Sequence, residues 1–492
     1  MGMLDFFRKP KPPVRKRRYD AAAVGRLFSD FKPFQKSADA NIRHDLLTIR
    51  NRARDLSRNN EYAKRYLRLL RQNVVGERGC TLQVKALGLD NRLDVAGNDI
   101  IETAFRDWAR KENCTVTGTM SFIDCQNLFI ESLARDGEVL IRKVRTRGEH
   151  GFAIQFLEPD HLDEKKNERL SNGNFIRMGV EMDKFRRPVA YHLLTEHPGD
   201  IEYASAVRRT ERVPADNIIH IYDPDRAEQT RGVPWLATAL SAMKMLHGYR
   251  EAELVAARTA ASKMGFFTSP TGDGFTADDL EDAVVPIMEA EPGTFHQLPQ
   301  GVRFEQWDPA HPTTAFGDFE KSVLRGIAAG LGVSYHSLAN DLTQTSYSSI
   351  RQGAIEDREF YKQLQRFMID HFIMPIYAEW LESAMTYGSV QIPLRRYGKF
   401  YNATMFQPRG FSWIDPLKEI NAHVIALQNG LISMQDVQNN YGRDVDETFA
   451  QIARDKQLAE QYGLKMAFEP FGANTNAVDP DITGGDDELQ AD

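Results

Sequence analysis

The stretch from Thr343 to Ala384, TQTSYSSIRQGAIEDREFYKQLQRFMIDHFIMPIYAEWLESA, constrains this chain more than any other part of it. A polar, turn-prone start leads into an unusually long helical pattern. Ile350, Ala354, Tyr361, Leu364, Met368, Phe372, Ile376 and Trp380 recur at intervals of three and four, or their sum, and so share one helix face, while the other face is charged. At ~1.5 Å per residue the pattern from Ser346 to Met385 predicts a rod of roughly 60 Å, well beyond the usual globular helix. Pro375 lacks a backbone donor and clashes with the preceding turn, so a kink is expected there. The stretch reads as a loop feeding a lever.

A chain of 492 residues has room for two to four domains. With 42% hydrophobic and 27% charged residues it has an ordinary globular balance, which disfavours wholesale disorder. No window approaches eighteen uninterrupted apolar residues, so no membrane partner is expected. The start, MGMLDFFRKPKPPVRKRR, carries charges and prolines where a secretory signal needs an apolar run. Phe6 stands where a myristoylation signal needs Ser or Thr. Cys80, Cys114 and Cys125 are an odd set without CxxC spacing, which suits buried, reduced thiols rather than a disulfide framework or a zinc site. A net charge of −7 argues against a general high-affinity nucleic-acid binder.

In chain order, residues 1–40 form a basic arm broken by Pro10, Pro12 and Pro13, either a solubilising tail or an arm that docks on an acidic neighbour or nucleic acid. Asn41 to Val75 is helical with a break at Asn59-Asn60, ends at Gly76, and places its many arginines on a solvated or inter-subunit face. Strands are expected at Cys80 to Ala86, Glu138 to Arg145, Phe152 to Leu157, Phe175 to Met182, Val189 to Leu194 and Ile218 to Tyr222, with helices at Leu93 to Lys111 and Ser121 to Arg135. Pro234 suits the first turn of a helix from Trp235 to Met264, whose face carries Leu236, Leu240, Met243, His247, Leu254 and Ala261. Turn-rich punctuation from Phe266 to Pro312 implies a small inserted module. Thr313 to Leu331 returns to helix, with Phe316, Phe319, Val323 and Ile327 as its apolar stripe. Helices from Pro416 to Leu427, Ser433 to Asn440 and Asp444 to Tyr462 precede an acidic tail.

The residues give catalysis weak support. Gly272-Asp273-Gly274 lacks the Gly-Lys-Ser/Thr ending of a phosphate-binding loop, and neither a nucleophile elbow nor HExxH occurs. Asp160, His161 and Asp163, and again His220, Asp223 and Asp225, superficially resemble metal clusters, yet turns at strand ends supply the same residues. No metal, cofactor or catalytic residue is assigned. Two helices flanking an insert, a polar loop, a very long helix and a helical C-terminal part suit an assembly protein.

The ordered series IRNRARDLSRNNEYAKRYLRLLRQNVVGERG, LARDGEVLIR, IQFLEPDHLD, GVPWLATALSAMKMLHGYREAELVAARTAASKMGFF and LGVSYHSLANDLTQTSYSSIRQGAIEDREFYKQLQ resembles a tailed-phage portal protein of the lambda type over most of residues 41 to 385. The basic arm, last helices and acidic tail match less distinctively. The resemblance implies a mainly helical α+β portal fold. Residues 41–230 would form a wing, 231–265 and 313–332 two stem helices, 266–312 a clip and 333–346 a tunnel loop. Residues 347–387 would be a long kinked wing helix, 388–463 a connection and crown, and 464–492 a tail. It further implies a dodecameric ring at one capsid vertex that passes double-stranded DNA during packaging and ejection, with terminase, capsid and head-completion proteins as partners. The chain would assemble in the host cytoplasm and end in the virion.

A ring of twelve chains at −7 each would repel phosphate rather than grip it, which suits a conduit. Asn340, Thr343, Gln344 and Thr345 would offer brief hydrogen bonds without a sequence code, and Lys321 and Arg325 are candidates for sparse phosphate contact or for an inter-subunit salt bridge. The alternatives are a metal-dependent DNA-processing enzyme built on Asp160, His161, His220, Asp223 or Asp225, and another structural phage head protein.

Overall fold

The computed structural model describes residues 35–200, 209–261, 265–268, 303–306, 316–343, 346–411, 416–441 and 443–464. The chain divides into two compact units. The first takes the residues up to Asn59, Ser132–Arg142 and Phe156–Leu240; the second takes Asn60–Glu131, Lys143–Gln155 and the residues from Ser241 onward. The span 41–230 contributes to both.

In the first unit, five strands form an antiparallel meander in sequence order: Glu168–Arg169, Phe175–Arg177, Val180–Met182, Pro188–Leu194 and Thr210–Pro214. Period-2 alternation puts Val180, Met182, Tyr191, Leu193 and Val213 on one buried face, where they pack with Leu140, Leu162 and Ile218. Each such side chain contributes roughly 1.5–3 kcal/mol by leaving water. Gly179, at φ +84°, makes the turn into Val180–Met182, and a Cβ there would meet the backbone of Asp163 at 2.9 Å. The start of the strand Glu138–Arg145 pairs antiparallel with Ile218–Tyr222, Leu140 lying opposite His220.

Arginine placement differs from the sequence expectation. Leu46–Asn59 is a helix whose buried face carries Arg50 beside Leu46, Ala53 and Leu56. Arg50 is only 1% exposed; its guanidinium reaches Glu138 at 2.7 Å and the Asp136 carbonyl at 3.3 Å. Arg54 bridges Asp136 at 2.7 Å and Asp160 at 2.6 Å. These two arginines are internal ties rather than a solvated or inter-subunit face, because Glu138 and its neighbours supply charge inside the unit. Arg52 and Arg58 are exposed as expected.

In the second unit, Asn60 breaks the helical run as the sequence suggests, its side chain capping the helix Glu61–Leu70 by accepting from Tyr62 and Ala63. A π turn, Arg71–Val75, then ends at Gly76. Thr81–Val84 pairs antiparallel with Thr404–Gln407, strands more than 300 positions apart. The long rod is present as Tyr347–Met368, a π turn Ile369–Ile373 and Met374–Tyr387, stopped by Gly388 at φ +95°. The irregularity is thus a widened turn immediately before Pro375, which places the missing N–H near the start of the last segment.

From Tyr361 to Trp380 the apolar stripe is buried, whereas Ile350 and Ala354 are half-exposed. Trp380 meets Phe105 edge-on with centroids 4.9 Å apart, and Phe372 stacks on Phe129 at 4.6 Å. Trp108 donates its indole N–H to the Phe152 carbonyl at 2.9 Å.

Pro234 precedes a short 3-10 turn, Trp235–Thr238, and the helix proper is Leu240–Ala261, so the proline stands outside its first turn. Leu236, Leu240 and Met243 are buried, but Leu254 is 65% exposed. In the helix Phe316–Leu331 the buried stripe is Leu324, Ile327, Ala328 and Leu331. Phe319 is exposed and meets the Tyr249 ring edge-on, which corrects the stripe expected there. The expected insert falls mostly outside the described residues; Gly265–Thr268 and Arg303–Gln306, at its edges, pair antiparallel. The helices Pro416–Gln428, Met434–Asn440 and Val445–Gln461 follow, the second closed by a Ser433/Asp436 capping box. Cys80, Cys114 and Cys125 are buried free thiols. No described helix is long and apolar enough to cross a membrane.

Candidate functional site

The segment linking the Phe316–Leu331 helix to the long rod is built from side chains that fix its backbone. Gly332, at φ +70°, turns the chain out of the first helix. Ser334 then caps a short helix, Tyr335–Ala339, by accepting the Ser337 N–H. The segment 333–346, expected to be a loop, therefore contains a helical turn, with Leu338 buried. Asn340 closes that turn in the left-handed region at φ +54°, a conformation that asparagine tolerates better than most residues.

Two carboxylates organise this segment. Asp357, 6% exposed on the rod, accepts the Ser334 N–H at 2.7 Å and the hydroxyls of Ser334 at 2.8 Å and Ser337 at 2.6 Å. The Ser337 carbonyl in turn accepts from Arg65 Nε at 3.1 Å. Asp341 is the second anchor: its carboxylate accepts the Thr343 N–H at 3.0 Å, the Thr343 hydroxyl at 2.5 Å and the Tyr335 hydroxyl at 2.8 Å. Its carbonyl lies 2.9 Å from His336 Nδ1. The Thr343 and Tyr335 hydrogen bonds favour the charged form and lower the Asp341 pKa to about 2. Burial, reinforced by the Asp341 charge, pushes Tyr335 up to about 12.

Of the residues singled out in the sequence, Lys321, Arg325, Asn340 and Thr343 fall around this one segment; Gln344 and Thr345 lie outside the described residues. Lys321 Nζ stands 4.0 Å from Asp341 Oδ2, and the Arg325 guanidinium lies 5.5 Å above the Tyr335 ring. Both cations thus face groups of their own chain, an arrangement that offsets their charge while leaving each partly open to solvent. Asn340 and Thr343 are exposed. The segment can offer amide and hydroxyl hydrogen bonds from a pinned backbone, with little net positive charge.

The residues considered for metal chemistry do not converge. His161 Nδ1 lies 3.0 Å from the Leu194 carbonyl, and Asp163 accepts the Lys165 N–H. His220 Nε2 sits 3.0 Å from Glu138, while Asp223 and Asp225 are exposed. Glu158, Asp160 and His197 do bring ligand atoms within 4.8 Å of one another. Arg54 already lies 3.5 Å from Glu158 and 2.6 Å from Asp160, so the charge a cation would supply is present. Glu138, fully buried, is opposed by desolvation, but Arg231, His220 and Arg50 more than offset this and hold its pKa well below the usual carboxylate range. That constellation is a structural ion network.

A family model described as phage portal protein, lambda family, matches residues 24–365. The probable portal protein of Halomonas phage phiHAP-1 is 38% identical over 491 residues, covering 97% of this chain and 94% of its own. The chain belongs to the lambda family of phage portal proteins. Portal protein B of Escherichia phage lambda is 24% identical over 481 residues, with 90% of each chain covered, and the portal protein of Escherichia phage N15 is 24% identical over 494 residues, with 92% of this chain and 93% of the other covered. This family is structural rather than enzymatic.

In this portal chain, sequence reasoning missed Asp341 and Asp357. Asp341 carried a local signal, since an aspartate in a polar, turn-prone stretch tends to accept the backbone N–H two residues on, as it does here from Thr343. Asp357 carried none, because its serine partners lie 20 and 23 positions away.

Proposed function

We propose that twelve copies of this chain form a ring at one capsid vertex, through which double-stranded DNA enters during packaging and leaves during ejection. A terminase motor would dock on the ring during packaging and head-completion proteins afterwards. Membership of the portal family carries this reading. In this assignment residues 41–230 with the long rod make the wing, 231–265 and 313–332 the stem, 266–312 the clip, and 388–463 the connection and crown. Two features of the single chain support a ring. Met245, Leu254, Val255 and Phe319, on the two stem helices, are each more than half exposed, as are Leu417, Ile425 and Leu458 in the crown; apolar faces of this kind are covered in assemblies.

The segment 333–346 is then the tunnel loop. Asn340 and Thr343, with Gln344 and Thr345, touch passing phosphates briefly, while Lys321 and Arg325 give sparse contacts moderated by Asp341 and Tyr335. A duplex must slide, so many short neutral hydrogen bonds suit the task better than a row of free cations, whose affinity would grow steeply with each phosphate neutralised. Deleting Asn340 to Thr343 tests this. Rings of unchanged size with reduced DNA packaging or retention are expected; loss of rings without a packaging-specific defect would make the loop structural.

A further inference from the structure

The second unit contains a cleft of about 1230 Å³ that the channel reading does not use. Its wall is made by the Arg71–Val75 turn, the Thr81–Val84 strand, the helix Val95–Trp108, the start of the helix Phe122–Asp136 and the N-terminus of Val445–Gln461. Six arginines line it: Arg68, Arg71, Arg78, Arg106, Arg409 and Arg443. Of the carboxylates present, Glu102 already accepts the Val84 N–H and Asp444 is paired with Lys85 at 2.7 Å; Arg71 pairs with Glu131 at 3.5 Å, which leaves Glu77 and Glu447 to face the other five arginines. Burial and the neighbouring Arg358 both disfavour the charged form of Arg409, the mark of a locally positive environment.

Among the described residues, two buried amides in the wall each leave one polar atom without a partner. Gln126 is 1% exposed; its Oε1 accepts the Cys80 N–H at 2.8 Å, which fixes the amide orientation and leaves Nε2 without a hydrogen bond. Gln83, 8% exposed, has its Oε1 unpartnered. An orphaned donor and an orphaned acceptor in one cleft are costly unless a ligand supplies both complements. A phosphodiester offers acceptors only and, with the amides oriented as they stand, would complement Gln126 Nε2 but not Gln83 Oε1. A peptide backbone carries both N–H and C=O, and acidic side chains on it would meet the arginines as charge-assisted pairs.

We infer that this cleft binds an acidic peptide segment, and that its occupant is the chain's own 479–492 stretch. That stretch holds Asp479, Asp481, Asp486, Asp487, Glu488 and Asp492 and no Lys or Arg. The tether permits it. The 17-residue helix Val445–Gln461 leads away from the cleft by ~25 Å, and the chain from 465 to 478 spans up to ~50 Å when extended. Attachment to the same molecule raises the local concentration of the segment at the cleft.

The test uses the full chain, a version truncated after Thr475, and a fluorescein-labelled peptide of residues 476–492. The truncated protein should bind the peptide with saturable anisotropy at least tenfold more tightly than the full chain, whose cleft is already filled. Arg78→Glu with Arg443→Glu should weaken binding at least tenfold. In the intact chain, Asp486→Asn with Asp487→Asn should speed hydrogen exchange of the Cys80 to Gln83 amides several-fold. Equal peptide binding by full and truncated chains would overturn the proposal, as would competition by a short DNA duplex at equal charge, which would make the cleft a phosphate site. Cross-links from the tail to Arg78 only between differently isotope-labelled copies would overturn the assignment to the same chain.

Discussion

Replacing Glu138 with glutamine removes one charge while keeping the shape of the side chain. The native carboxylate is fully buried and receives Arg231 Nε at 2.9 Å, Arg231 Nη2 at 2.5 Å, Arg50 Nη2 at 2.7 Å and the Gly232 N–H at 3.1 Å, with His220 Nε2 3.0 Å away. Arg50 and Arg231 are 1% and 0% exposed, so the variant leaves two buried guanidinium groups facing an amide whose NH₂ repels them. Removing one partner of a buried ion network costs about 3–5 kcal/mol. A two-unit chain need not unfold in one step, so hydrogen exchange along Val180–Met182 and Pro188–Leu194 in increasing urea is the suitable assay, read against the Tyr347–Met368 rod as internal control.

The sheet should open at lower urea while the rod is unchanged. Acid adds a second readout. The folded pKa of Glu138 lies well below its ordinary value, so the wild-type contribution is complete above that ordinary value and is lost as pH falls toward the folded one. The glutamine variant should lack this part of the acid sensitivity. A loss under about 0.5 kcal/mol, or an unchanged acid profile, would refute the view that this network holds the first unit together.

Other outcomes follow from single contacts. Asp341→Asn should lower the Tyr335 pKa from about 12, visible in a phenolate absorbance titration against the Tyr335→Phe background; no change would mean Asp341 does not anchor that hydroxyl. Asp357→Ala leaves the Ser334 N–H and two hydroxyls without their acceptor and should cost about 1–3 kcal/mol, seen as faster exchange of the Tyr335–Ala339 amides. Gly137→Ala would bring a Cβ within 2.4 Å of the Val233 carbonyl carbon at φ +88°; soluble yield should fall sharply, and normal yield would show that the Val233 backbone moves aside. Trp380→Ala should destabilise the rod's aromatic packing by about 3–5 kcal/mol, measured by urea unfolding followed through exchange in Met374–Tyr387.

What was legible in the sequence follows the range of the forces involved. The rod, its start near Ser346, the Asn59-Asn60 break and the helix starts near Ser433 and Asp444 are set by neighbours a few positions apart, and the local pattern reveals them. In the five-stranded meander, Phe175 to Met182 and Val189 to Leu194 appear as alternation, but the turn at Gly179 that splits the first of these and the strand Thr210–Pro214 do not. Arg50 could not be read: a buried arginine on an amphipathic helix has the same spacing as an exposed one, and only Glu138, 88 positions later, decides its place. Phe319 fails in the opposite direction, being apolar and on helical spacing yet exposed in the single chain. The rod stripe shows both cases, with Trp380 sealed by Phe105 while Ile350 and Ala354 stay half-open. The candidate loop was located by its polarity, but its anchors were not, since Asp357 acts through the fold rather than through the local chain.

The central proposal is a closed ring with a DNA-wide channel. Imaging the purified full-length chain by electron microscopy, with its mass measured in the same buffer, tests it most directly. Twelve-chain rings with a central opening are expected; a monomer that persists at high concentration would contradict the proposal.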